Sequence, residues 1–84
     1  MTFAQRFARN LTAAREPTGL SQEDLGLRAG LHRTAVGQLE RGQRIARLDT
    51  YIKLIDSLGL ERGDLLDGLA WRPAEYSEGE LSAE

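Results

Sequence analysis

Polar and charged side chains crowd residues 32 to 47, among them His32, Arg33, Thr34, Gln38, Glu40, Arg41, Arg44 and Arg47. Wound as a helix at about 100° per residue, Arg33, Thr34, Gly37, Gln38 and Arg41 share one arc, while Ala35, Val36 and Leu39 share the opposite one. The apolar arc suits a core, so the donor-rich arc is offered outward. Its chemistry is recognition through hydrogen bonds and positive charge. Catalysis would need a nucleophile beside a base, a metal cluster or a phosphate loop, and the sequence has none of them. His32 is the single histidine and no acid or nucleophile accompanies it, so it reads as a residue flanking the helix in solvent or meeting an anion. Without cysteine there is neither a disulfide framework nor a thiolate metal site. No cofactor, no metal and no enzymatic activity are expected.

Charge is divided along the chain. Residues 1–47 carry a net +4 and residues 48–84 a net −6, which together make the overall −2. The acidic pI of about 5.4, taken alone, argues against a nucleic-acid partner. The division weakens that objection, because a basic half joined to an acidic half makes a dipolar molecule with one face turned to an anion. No apolar run exceeds three residues, against the roughly 20 that a spanning helix needs. The first ten residues hold no apolar block of a secretory signal. A cytoplasmic, nucleoid-associated protein with no membrane partner is the expectation.

Several elements must position the outward arc. Phe3, Phe7 and Leu11 repeat every four residues behind Thr2, a capping hydroxyl, and predict a first helix that stops near Arg15, ahead of Pro17. Ser21, followed by Gln22, Glu23 and Asp24, resembles a capping box and opens a second helix with Leu25 and Ala29 inward. Gly30 interrupts it, a third helix runs from about His32 to Arg41, and Gly42 closes that one. A basic loop follows over residues 43–47. Leu48, Tyr51, Ile52, Ile55 and Leu58 then predict a fourth helix ended by Gly59, and Leu65, Leu66 and Leu69 a shorter fifth over about 62–69. No segment alternates as a strand does. Phe3, Phe7, Tyr51 and the leucines are the expected core. The fold class is therefore all-α, a bundle of about five short helices over residues 1–70. Residues 71–84, with four acids, read as a flexible acidic tail. Trp71 either caps the core or sits in a subunit contact, and Tyr76 and Leu81 are candidates to dock on a protein partner. Asn10-Leu11-Thr12 matches a glycosylation sequon by chance.

Residues 22–41 satisfy the packing demands of two helices crossing around a tight turn: Leu25, Ala29 and Leu31 apolar, Gly26 small, Gly30 at the turn, Val36 and Leu39 anchoring the next helix. The run SQEDLGLRAGLHRTAVGQLERGQR resembles the helix-turn-helix of the phage repressor and Cro family, with the Xre-type bacterial regulators, over about Phe3 to Leu66. The chain departs from that pattern at Gly26, where alanine is more common, at Gly37, often serine, and at Ile45-Ala46, which lacks the usual proline.

The resemblance implies a lambda-repressor-like DNA-binding domain whose third helix enters the major groove of double-stranded DNA. Arg33 then reads guanine through O6 and N7, Gln38 reads adenine through N6 and N7, and Thr34 meets a thymine methyl. Gln22, His32, Arg41, Arg44 and Arg47 contact phosphates. Arg15 pairs with Glu40 as a structural ion pair. A homodimer is implied, with its contact around Leu60, Leu65, Leu66, Leu69 and Trp71, acting as a transcriptional repressor on a pseudo-palindromic operator. Two kinds of regulator fit: a stand-alone Cro-like or restriction-controller-like switch, and an antitoxin whose tail engages a toxin. The alternative of another class is a protein-interaction module that kept the fold and lost DNA binding. On that alternative Arg33, Gln38, Arg41 and Arg44 are only a solvated face.

Overall fold

In the computed structural model, which describes residues 1–73 and 79–83, each of the first two helices is capped at its N-terminus by a hydroxyl. Helix α1 spans Phe3–Arg15; Thr2 accepts from the Gln5 N–H, and the Gln5 side chain accepts from the Thr2 N–H in return. Pro17 falls in a 3₁₀ turn, Glu16–Thr18, just past the end of α1. Helix α2 spans Gln22–Ala29 and opens on the same reciprocal pair between Ser21 and Asp24. It closes on Gly30 at φ 66°, and the Leu31 N–H bonds back to the Gly26 carbonyl at 2.9 Å. Helix α3 spans Ala35–Glu40, and α4 spans Leu48–Leu58.

Helix α3 begins three residues later than its periodicity predicts. The Ala35 N–H bonds to the His32 carbonyl at 2.9 Å, so His32, Arg33 and Thr34 form a turn that leads into the helix. Phe7, Leu11, Leu25, Ala29, Val36, Leu39, Tyr51, Leu54, Ile55 and Leu65 meet in one core. Helix α3 lies on α1 and α2, α2 lies on α4, and α1 also packs against described segments that follow α4. Not every apolar residue joins the core: Leu27, Leu48, Leu66 and Leu81 are exposed, and Phe3 is half-buried.

Two expectations are corrected after α4. The fifth helix is a single 3₁₀ turn, Asp64–Leu66. Gly63 and Gly68 bracket it too closely for a longer helix, and its carbonyl side is taken up by α1: Asn10 Nδ2 donates to Leu65 O at 3.0 Å and to Asp67 O at 2.8 Å. The chance sequon at Asn10 is thus a structural tie. Strands are also present. β1, Leu69–Arg72, pairs antiparallel with β2, Glu80–Ala83, setting Leu69 opposite Ala83 and Trp71 opposite Leu81. Leu69–Arg72 does not alternate, and in Glu80–Ala83 the alternation covers only four residues, the shortest run that suggests a strand. β2 lies inside the expected flexible tail and β1 straddles its boundary at residue 71, while Tyr76 lies outside the described residues. Trp71 is 56% exposed and does not cap the core. Its indole instead covers Gly79, where a Cβ would overlap the ring. Among the described residues no helix is long and apolar enough to cross a membrane.

Candidate nucleic-acid interface

Under the donor-rich face lies a buried polar corner. Arg15 Nε donates to Glu40 Oε2 at 2.7 Å and Arg15 Nη2 to Glu40 Oε1 at 3.0 Å, a two-pronged pair. The side chains are 13% and 4% exposed. Arg15 Nη1 also donates to the Leu20 carbonyl at 2.8 Å, and Gln22 Nε2 to Glu40 Oε1 at 3.1 Å. One carboxylate thus ties α1, α2 and α3 together. Burial alone raises the Glu40 pKa, but the bonds from Arg15 and Gln22, with help from Thr12, outweigh it and hold the carboxyl below the usual range. The same bond raises the Arg15 guanidinium against the opposing effect of burial.

The outer face is built from what this corner leaves free. Arg33 and Thr34 stand exposed on the turn into α3, and Arg33 has no partner among the described residues. Thr34 faces His32: its N–H donates to Nδ1 at 3.3 Å, and its hydroxyl lies 3.0 Å from the same atom. With Nδ1 accepting, the ring proton sits on Nε2. Gln38, half-buried, accepts from Arg44 Nη1 at 3.2 Å. Arg41 folds across Gly37, where a Cβ would lie 2.9 Å from its Nη1 and 3.3 Å from Gln22 Oε1. The missing side chain at residue 37 is what lets Arg41 and Gln22 rest on the helix. Gly26 is different: a Cβ there meets only Val36 Cγ2, at 3.8 Å.

The expected phosphate contacts divide accordingly. Gln22 commits one amide hydrogen to Glu40 and keeps the other. Arg44 is held on Gln38 rather than pointing away from it. Arg47, 77% exposed, lies 3.4 Å from the exposed Asp49 carboxylate, a pair weak enough to exchange for a phosphate.

The expected subunit contact needs correcting. Leu65 is fully buried in the chain's own core, and Leu60 and Leu69 pack against that core. Leu66 and Trp71 remain exposed. Ile45, Leu48 and Ile52, which the sequence reading did not single out for such a surface, are exposed together with Leu66, along α4 and the segments before and after it. Phe3, Phe7, Ile45, Leu48, Tyr51 and Leu66 line an open apolar cleft of about 280 Å³ there. A signal was available: the apolar positions of α4 cover an arc of about 160°, wider than the roughly 100° stripe that one core contact needs.

Comparison with known proteins bears on the family and the fold. The helix-turn-helix family model matches residues 11–65, ending before β1. The restriction-modification controller protein C.AhdI from Aeromonas hydrophila superimposes with a TM-score of 0.71 at 40% identity, over 74% of this chain and 94% of that one. Control protein C.SmaI of Serratia marcescens is 38% identical over 66 residues, 79% of either chain. Control protein C.BamHI of Bacillus amyloliquefaciens is 42% identical over 50 residues, which span 60% of this chain and 62% of that protein.

Proposed function

Because the chain belongs to the helix-turn-helix family, a family of DNA-binding regulators and not of enzymes, we infer that it binds double-stranded operator DNA as a symmetric dimer and represses transcription by occupying its site. The observation that carries this reading is the division of charge at α3. The one carboxylate on that helix, Glu40, is turned inward and neutralised, while Arg33, Arg41 and Arg44 stand exposed outside it. A positive, donor-rich face whose own helix carries no exposed carboxylate fits the major groove and its flanking phosphates.

On this reading α3 and the turn before it present Arg33, Thr34 and Gln38 to base edges. The second amide hydrogen of Gln22, the Nε2–H of His32, Arg41 and Arg47 meet phosphates, which set the register. One such helix reads only a few base pairs, and a second copy across a twofold axis doubles both contacts and specificity. The apolar surface of Ile45, Leu48, Ile52 and Leu66 supplies the dimer face, replacing the buried Leu65 in that role. Likeness to controller proteins favours a stand-alone switch of the restriction-controller kind over an antitoxin.

Selection of bound sequences from a random duplex library, repeated at two salt concentrations, tests the reading. A palindromic consensus with half-sites about 34 Å apart is expected, with affinity falling as salt rises. No enrichment by the folded protein would replace this function with a protein-interaction role. Leu48→Asp is expected to yield a folded monomer in sedimentation. A Leu48→Asp dimer would move the subunit contact elsewhere.

A further inference from the structure

Helix α3 ends in a way that brings its following loop back over it. Gly42 takes φ 69°, its N–H bonds to the Leu39 carbonyl at 3.1 Å, and the Gln43 N–H bonds to the Gln38 carbonyl at 3.0 Å. The turn is pressed against α1, since a Cβ on Gly42 would stand 3.4 Å from the Gln5 Cα. Arg44 therefore leaves a fixed turn and returns to Gln38, where Nη1 donates to Oε1.

That bond changes what Gln38 has to offer. A glutamine reads adenine with both atoms of its amide: the nitrogen donates to N7 and the oxygen accepts from the N6 amino group. Guanine keeps the N7 acceptor but carries an oxygen at position 6, which needs a donor. Oε1 has two lone pairs and Arg44 takes one of them; the guanidinium held there sets further N–H donors beside the other, opposing the N6 amino group of adenine, while Gln38 keeps its Nε2–H for N7, a contact common to both purines. What faces position 6 is then Arg44, whose guanidinium has five N–H donors and has committed one to Gln38. No carboxylate on α3 offers the adenine amino group another acceptor, because Glu40 is enclosed with Arg15 and Gln22.

We propose that Arg44 is a specificity-determining residue, which by occupying Gln38 Oε1 turns Gln38 from a reader of adenine into half of a donor-only pair that reads guanine. This rests on the entry of α3 into the major groove argued above. It also replaces the sequence-based assignments of Gln38 to adenine and of Arg44 to a phosphate. Arg44 acts both through the amide that it holds and by its own N–H groups toward O6.

Sequence selection with three proteins separates the possibilities: the unaltered chain, Gln38→Ala and Arg44→Ala. The unaltered chain is expected to enrich guanine at the base pair whose preference Gln38→Ala erases. Arg44→Ala frees Oε1, so the same position is expected to keep a purine but move to adenine, with the adenine-to-guanine ratio rising about tenfold or more. Adenine already preferred by the unaltered chain would overturn the proposal. So would an Arg44→Ala protein that binds every sequence more weakly with its base preferences unchanged. In either case the consensus survives, and with it the operator reading. If the folded, unaltered chain enriches no sequence, the operator reading itself fails and takes this proposal with it.

Discussion

Arginine meets glutamine in two regions of this molecule, with opposite results. Inside, Arg15 and Gln22 converge on the carboxylate of Glu40, and the charge is neutralised between three helices. Outside, Arg44 meets Gln38 on α3 with no carboxylate in the pair, and the charge stays available. The residue types are the same. What differs is whether a counter-charge is enclosed with them, since a buried guanidinium without a partner is strongly destabilising while an exposed one is hydrated at little cost. Two glycines repeat the contrast. Gly26 faces Val36 with space for a methyl group, whereas Gly37 lies beneath Arg41 and Gln22.

The inner region offers the largest way to break this contrast. Glu40→Ala strands the Arg15 guanidinium, and urea melts are expected to lose about 3–5 kcal/mol of stability. A loss under about 1 kcal/mol would place the pair with ordinary surface pairs. The contribution also depends on pH. Because the Glu40 carboxyl is held below its ordinary range, its stabilisation is complete above the usual carboxylate pKa and fades as pH falls through the depressed value. Glu40→Gln is therefore expected to flatten the acid side of a plot of Tm against pH, and an unchanged slope would assign the acid sensitivity to other carboxylates.

The outer region is expected to respond in binding and not in stability. Arg33→Ala should alter unfolding by less than about 0.5 kcal/mol and cost about 1–3 kcal/mol of affinity at one base position. Equal losses on operator and random DNA would make Arg33 a phosphate contact. The smallest effects come from the glycines, where alanine gains up to about 1 kcal/mol of helix propensity. Gly26→Ala is expected to raise the melting temperature and leave DNA affinity unaltered. Gly37→Ala should shift Arg41 and Gln22 and change affinity instead. Thermal melts paired with binding isotherms distinguish the two, and identical behaviour would remove the contrast between them.

Much of this was legible in the residues. The capping hydroxyl at Thr2, the capping box at Ser21 and the left-handed turn at Gly30 are local chemistry, and the starts of α1 and α2 and the end of α2 follow from them. The pairing of Arg15 with Glu40 was expected only through resemblance, because nothing local joins residues 25 positions apart. Leu48 and Leu65 show where periodicity fails: both are leucines on apolar patterns, yet one is 78% exposed and the other fully buried. The spacing of apolar residues states that a helix has an apolar side but not how far a neighbour covers it. The pair β1–β2 was hidden because each strand is stabilised by the other, not by its own four residues.

The sequence by itself determined the helix-turn-helix, its caps and turns, and the arc of donors along α3, since these follow from interactions among residues a few positions apart. Tertiary structure alone decided which side chains are enclosed and which are free. It turned Arg15 and Gln22 toward Glu40, and it buried Leu65 while leaving Leu48 outside. The physical reason is that burial and hydrogen-bond partnership belong to groups brought together across the chain. A side chain's chemistry is set by its type, but its availability is set by its neighbours.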